Sequence, residues 1–270
     1  MHAMTRKARH LVLLLVLVLV LVLAPMCCRY ILFKEHTKSL LEQLGALLSP
    51  GTPLPPTRYN IPPGGRIPAI RAKPLSSQSK SNPIGYSSTP ELTSLHWGLT
   101  PAWARSADSP VVNARAESLA EKPAFRDAFR TRRCLIPASG FYEWKISGRS
   151  REPWLFRLRD NHPFFLAALW ETWLAPDGAA HESCAVVTTA PNAVMQPVHH
   201  RMPAILSTPA ACTAWLDPRI TSPDTLAPLL APFPAEAMTA LAVTPRVNSV
   251  ANDDPACLAP ATLAQLDLFL

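Results

Sequence analysis

Proline limits this chain more than any other residue type. It occupies 30 of 270 positions, about twice ordinary usage, and recurs from Pro25 to Pro260. Each proline fixes φ and removes a backbone donor, so long helices are interrupted and short strands and loops are favoured. The apolar text between prolines has strand character. "RCLIPASGFYEWK" (133–145) reads as two strands around a Gly turn. "PWLFRLR" and "PFFLAALWETW" read as two more, joined by the turn signal "DNHP", and "ESCAVVTTAP" as another. "FPAEAMTALAVTPRVN" closes with a strand. Helical spacing is confined to three places: the later part of 31–48, "EKPAFRDAFRTR" with Phe125 and Phe129 four apart, and "TPAACTAWLDP". Residues 49–74 are Pro-broken, with a short strand near Ile67–Arg71; residues 75–93, rich in Ser, Thr, Asn and Pro, read as a mobile surface loop. Strands and helices interleave without a βαβ rhythm. The expected class is α+β, mainly antiparallel, with a curled sheet and peripheral helices.

Residues 1–25 stand apart. Their basic start precedes a Leu/Val run, Leu11–Ala24, which as a helix would span about 21 Å against the ~30 Å of a hydrocarbon core. Two readings fit: a signal or anchor segment, or upstream sequence translated from a start placed too early. The domain proper is expected over 26–270. The first reading exports the protein or holds it at a membrane; the second leaves it in the cytoplasm. The net charge of +7 includes three cations in this segment, Arg6, Lys7 and Arg9, leaving a modest excess that permits an anionic partner without demanding one. The six cysteines are scattered, with no C-x-x-C pair, which argues against a zinc site and for buried thiols.

Three short stretches carry residues suited to chemistry: "NARAES" (113–118), "GFYEW" (140–144) and "HHRMP" (199–203). They offer the Asn113 amide, the Glu143 carboxyl and an imidazole from His199 or His200. Arg115 and Arg201 add forked cations suited to phosphate. Glu143 lies among Phe141, Tyr142 and Trp144, a setting that raises a carboxyl pKa toward neutrality. Each also has a plain structural reading: Glu143 on the solvent face of a strand, a histidine in a turn, Asn113 as the cap of a helical "ARAESLAE".

Together with "MCCRY" (26–30), "RYNIPP" (58–63), "WGLTPAW" (97–103) and "RVNSVANDDP" (246–255), these stretches resemble, in order, the motifs of the SOS response-associated peptidase family. The resemblance covers about residues 26–260. It implies a β pseudo-barrel with a groove for single-stranded DNA, and loss of the initiator Met so that Cys27 becomes the amino terminus. It implies catalytic roles for Cys27, Asn113, Glu143 and His199. It further implies a DNA-binding set of Arg29, Asn60, Trp97, Arg115, Trp144 and Arg201, with no metal and no cofactor. The implied partner is single-stranded DNA containing abasic sites, bound by a monomer, with membrane contact only if residues 1–25 are retained. Two positions depart from the family pattern: Cys28 replaces a Gly, and His200 follows His199 where an acid is usual.

The chemistry explains why the cysteine must come first. A free α-amine, with a pKa near ~8, attacks the aldehyde of a ring-opened abasic site and forms an imine. The thiol of the same residue closes onto the imine carbon as a thiazolidine. On this reading His199 gives a proton to the sugar ring oxygen and Glu143 shuttles protons, with lyase-type reversal open to it. The alternatives are a thiol-dependent (auto)peptidase and a non-covalent binder of modified DNA.

Overall fold

The computed structural model describes residues 29–46, 53–74, 86–148 and 150–262. Its class is α+β, mainly antiparallel, and it is built on two sheets. Strands β3 (Arg66–Pro74), β4 (Tyr86–Trp97), β6 (Arg133–Ala138), β9 (Phe164–Leu174) and β10 (Ala180–Thr189) pair in the cycle β10-β4-β3-β6-β9-β10 and close a ring. One pairing in it, β10 with β4, is parallel. Closure leaves these five strands without a free edge. Three short strands attach to the ring: β5 (Asn113–Arg115) and β11 (Met202–Pro203) on β10, and β12 (Ile205–Leu206) on β9.

The second sheet is open and antiparallel, in the order β13-β8-β7-β1-β2. Its strands are β1 (Arg29–Leu32), β2 (Arg58–Ile61), β7 (Gly140–Ser147), β8 (Ser150–Leu158) and β13 (Met238–Ala242). The chain crosses from ring to open sheet at Ser139-Gly140. A side chain at Gly140 would lie 2.9 Å from the Phe156 carbonyl oxygen, so only glycine fits the crossing.

Three apolar layers follow. Tyr30, Phe141 and Phe156 of the open sheet pack against Trp97, Leu166 and Val186 of the ring. The far side of the ring is covered by α1 (Lys34–Leu44), α2 (Arg126–Thr131) and α3 (Pro209–Leu216) through Leu40, Phe129 and Trp215. The outer face of the open sheet, with Tyr142 and Leu155, is covered by Val243, Val247 and Cys257. Burial of each such side chain contributes about 1.5–3 kcal/mol.

The strands and three helices read from the sequence are present. The loop expected over 75–93 is not: Tyr86–Trp97 is a strand, and its polar stretch is held by backbone pairing with β3, Arg71 opposite Glu91 and Ala72 opposite Pro90. The remainder, 75–85, falls outside the described residues. Of the "ARAES" segment only Ala116–Ser118 turns, as one 3-10 turn with Arg115 at its N-cap, so Asn113 is a strand residue and not a helix cap. Among the described residues, no helix is long and apolar enough to cross a membrane.

Candidate active site

Glu143 sits on β7, facing inward between the aromatic layers, and is 5% exposed. Burial raises its pKa to about 8, only partly offset by the Trp144 backbone amide and by Arg151. At neutral pH this carboxyl keeps its proton. His199 reaches it from the turn after β10, with Nδ1 4.0 Å from Glu143 Oε1. The ring is fixed by its own turn: Nδ1 lies 3.1 Å from the Arg201 carbonyl oxygen and 3.2 Å from the Arg201 amide nitrogen, which donates to it. Burial, then the neighbouring His200 and Arg201, hold the His199 pKa below the usual imidazole value, against the Arg201 carbonyl, which raises it. His200 is exposed and packs ring to ring with His199 at 4.4 Å.

Two of the sequence motifs meet through a side chain that sequence reasoning missed. Glu117 grips Arg201 with both oxygens, at 2.7 and 2.8 Å, and Arg201 also donates to the Thr188 carbonyl at 2.6 Å. The Arg201 guanidinium holds the Glu117 pKa below the usual carboxylate range. Arg201 therefore spends three donors inside the protein, and the "HHRMP" turn is tied to the end of "NARAE". Asn113 and Arg115 lie on β5, which runs parallel to β10 with Asn113 opposite Val186. Arg115 is exposed.

On the other side of Glu143, Arg29 opens β1 directly opposite Tyr142. Its guanidinium lies 4.9 Å from the Trp144 ring centroid, donates to the Asn248 carbonyl at 3.1 Å and to Asn60 Oδ1 at 3.3 Å. Trp144 donates to Asn248 Oδ1 at 2.6 Å. Asn60 has no exposed surface; its amide donates to the carbonyls of Val247, Ser249 and Asn252 at 3.1, 3.0 and 2.8 Å. It builds the loop that carries Asn248 and does not face a groove. Trp97 is likewise fully buried, with its indole donating to the Val112 carbonyl at 3.1 Å. A ring with no exposed surface cannot stack on a base, so Trp97 acts on the site only through packing. Cys27 and Cys28 lie outside the described residues.

The described cysteines all lie in the interior. Cys134, Cys184, Cys212 and Cys257 are free and buried. Burial pushes the Cys212 thiol up to about 12 and those of Cys134 and Cys184 far above their usual range. Cys134, Cys184 and Cys212 therefore stay as inert thiols at physiological pH.

Against this geometry, the family pattern described as "SOS response associated peptidase (SRAP)" matches residues 26–250. The chain belongs to this family. Among SRAP relatives it is 37% identical over 235 residues to the abasic site processing protein YoqW of Bacillus subtilis (strain 168), covering 85% of this chain and 97% of that one. It is 29% identical over 197 residues to the abasic site processing protein HMCES of Gallus gallus, covering 64% and 58%. A crystal structure of a protein from Bacteroides thetaiotaomicron superposes with a TM-score of 0.62 at 31% identity, over 74% of this chain and 82% of that one.

The SRAP motifs thus fall into two groups by depth. Glu143 in β7 meets His199 in the turn after β10, while Asn113 and Arg115 lie on β5 beside β10 and are tied to that turn through Glu117 and Arg201. Asn60 and Trp97 have no exposed surface and act as internal supports. The late "RVNSVANDDP" motif forms the loop over the open sheet, anchored by Asp253, which accepts from the Asn60 amide at 3.0 Å and pairs with Arg58. That anchoring has no sequence signature: an Asp accepting from a backbone 193 residues away shows no spacing.

Proposed function

We propose that this chain processes abasic sites in single-stranded DNA by forming a covalent adduct through Cys27 at its amino terminus. The supporting observation is the Glu143–His199 pair, a buried carboxyl and a half-buried imidazole at 4.0 Å with pKa values displaced in opposite directions. Arg29 pairs with Tyr142, one residue from Glu143. Covalent connectivity alone keeps the Cys27 Cα within about 7.6 Å of that of Arg29.

The displaced pKa values reverse the roles expected from the sequence. Neutral His199 is the better proton acceptor, and protonated Glu143 the better donor. In ring opening, His199 takes the proton from the C1′ hydroxyl while Glu143 protonates the ring oxygen as the C1′–O4′ bond breaks. The Cys27 nitrogen then attacks the aldehyde carbon, and the carbonyl oxygen leaves as water with a proton from the acid. The Cys27 sulfur adds to the imine carbon, and its proton passes to nitrogen to complete the thiazolidine. Asn113 hydrogen-bonds the amine or the sugar hydroxyls. Arg29, Arg115 and Arg201 hold phosphates, Arg201 in exchange for part of its bond to Glu117.

The same acid–base pair could remove residues ahead of Cys27, which is the reading that the family description favours. The two activities separate in one experiment. Protein beginning at Cys27 is mixed with single-stranded DNA bearing one abasic site. A shifted band that survives boiling in detergent supports the adduct. Peptide cleavage with no shifted band supports the peptidase alone. A band shift seen only under native conditions, and unchanged in Cys27→Ala, supports a non-covalent binder.

A further inference from the structure

A cavity of about 440 Å³ opens between the edge strand β2 and the β3–β4 hairpin. It lies in the size range of small-ligand pockets. Pro53, Pro55 and Pro56 line it together with Ile67 and Leu92, giving apolar surface suited to a flat ring. Arg58 and Arg66 also line it. Arg58 pairs with Asp253, whereas Arg66 is exposed, donates to Ser94 and meets no carboxylate among the described residues. Apolar walls beside an uncompensated guanidinium fit a nucleotide: a base against the prolines, a phosphate on the cation.

The cavity is also tied to the candidate site. Leu32 lines it, three residues from Arg29 on β1, or about 10 Å along the strand. Asp253 accepts both from Arg58 and from the Asn60 backbone N–H, and the Asn60 side-chain oxygen accepts from Arg29. Leu32 faces the ring and Arg29 the outer side with Trp144, so strand bound at Arg29 would reach the cavity with its next few nucleotides by crossing the edge strand β2. We infer that this cavity takes the base of a nucleotide flanking the lesion, so that the protein reads an intact base near the abasic position as well as the missing one. The inference rests on the single-stranded DNA reading above.

The full chain is titrated by fluorescence anisotropy with oligonucleotides carrying one tetrahydrofuran lesion. In a series, each flanking nucleotide in turn also loses its base. One position on one side should weaken binding about tenfold when its base is removed, and the others little. Thr93→Trp, which fills the cavity, should abolish that difference. Arg66→Gln should weaken binding to every oligonucleotide and flatten the salt dependence by about one phosphate contact, whether or not Thr93→Trp folds. Equal losses at all flanking positions, or a positional loss that persists in folded Thr93→Trp, would overturn the inference. So would deoxyadenosine monophosphate binding that Thr93→Trp removes while the positional effect remains, since the cavity would then serve free nucleotides. If wild type binds none of the oligonucleotides, the DNA reading itself fails; if it binds them without a positional effect, and crosslinks an oligonucleotide bearing a true abasic site, only the cavity inference does.

Discussion

The closed ring and the open sheet use the same material differently. The ring has no free strand edge, and its interior holds Cys134 and Cys184 with no exposed surface. The open sheet ends at β2 and carries a protonated carboxyl, an arginine over an indole and a buried amide at one end. All four described thiols are buried, and the one beside the open sheet, Cys257, packs under the loop that Asn60 holds. Reactivity in this chain is therefore a matter of placement. On the proposed function, the nucleophile is Cys27, two residues ahead of the strand that pairs beside Glu143.

That contrast can be broken by variants on either side. The largest expected effect is in the open sheet: Glu143→Gln should slow adduct formation about 10²–10⁴-fold in single-turnover assays, because the proton donor is lost. The pH profile sharpens the point. The neutral amine fraction grows up to its pKa near ~8, while Glu143 loses its proton above about 8, so the wild-type rate should peak near that pH. The alkaline limb should vanish in Glu143→Gln.

Stability follows with the sign set by the same shift. The folded pKa of Glu143 lies above its unfolded value, so its contribution is fully present below about 4.5 and is lost as pH rises through about 8. Denaturant melts should show wild type losing a few kcal/mol relative to Glu143→Gln between pH 5 and 9. Equal pH slopes would mean the carboxyl is solvated. Asn60→Ala should cost about 1–3 kcal/mol by removing the one side-chain amide that ties together three carbonyls of the 247–252 loop. Ring variants should separate stability from chemistry: Cys184→Ser buries a hydroxyl and should cost about 1–3 kcal/mol, with adduct yield unchanged at temperatures where it is folded. Any loss of adduct chemistry in folded Cys184→Ser would break the comparison. The smallest effect belongs to His200→Ala, which should change the maximal rate little and move the acid limb upward, because His200 lowers the His199 pKa.

Much of this was legible in the chain. Period-two apolar text placed β6 to β10, and four-residue spacing placed α2 by Phe125 and Phe129. Tyr86–Trp97 hid because Ser, Thr and Pro read as loop while the strand's hold is a partner's backbone, which composition does not encode. Ring closure through the parallel β10–β4 pair is a long-range event with no local mark. In the site, Glu143 announced its raised pKa through its aromatic neighbours. Trp97 and Asn60 misled because a motif fixes a residue's presence but not its depth. Glu117 lay in plain view within "NARAE", yet its bond to Arg201 crosses 84 residues.

The central claim is that one terminal residue supplies both nitrogen and sulfur. It is tested by the intact mass of the adduct between an abasic oligonucleotide and protein beginning at Cys27, beside the same protein acetylated at its terminal nitrogen and the chain retaining residues 1–25. The account predicts an adduct equal to protein plus DNA less one water, from the free terminus only. The same adduct from the acetylated protein would contradict it.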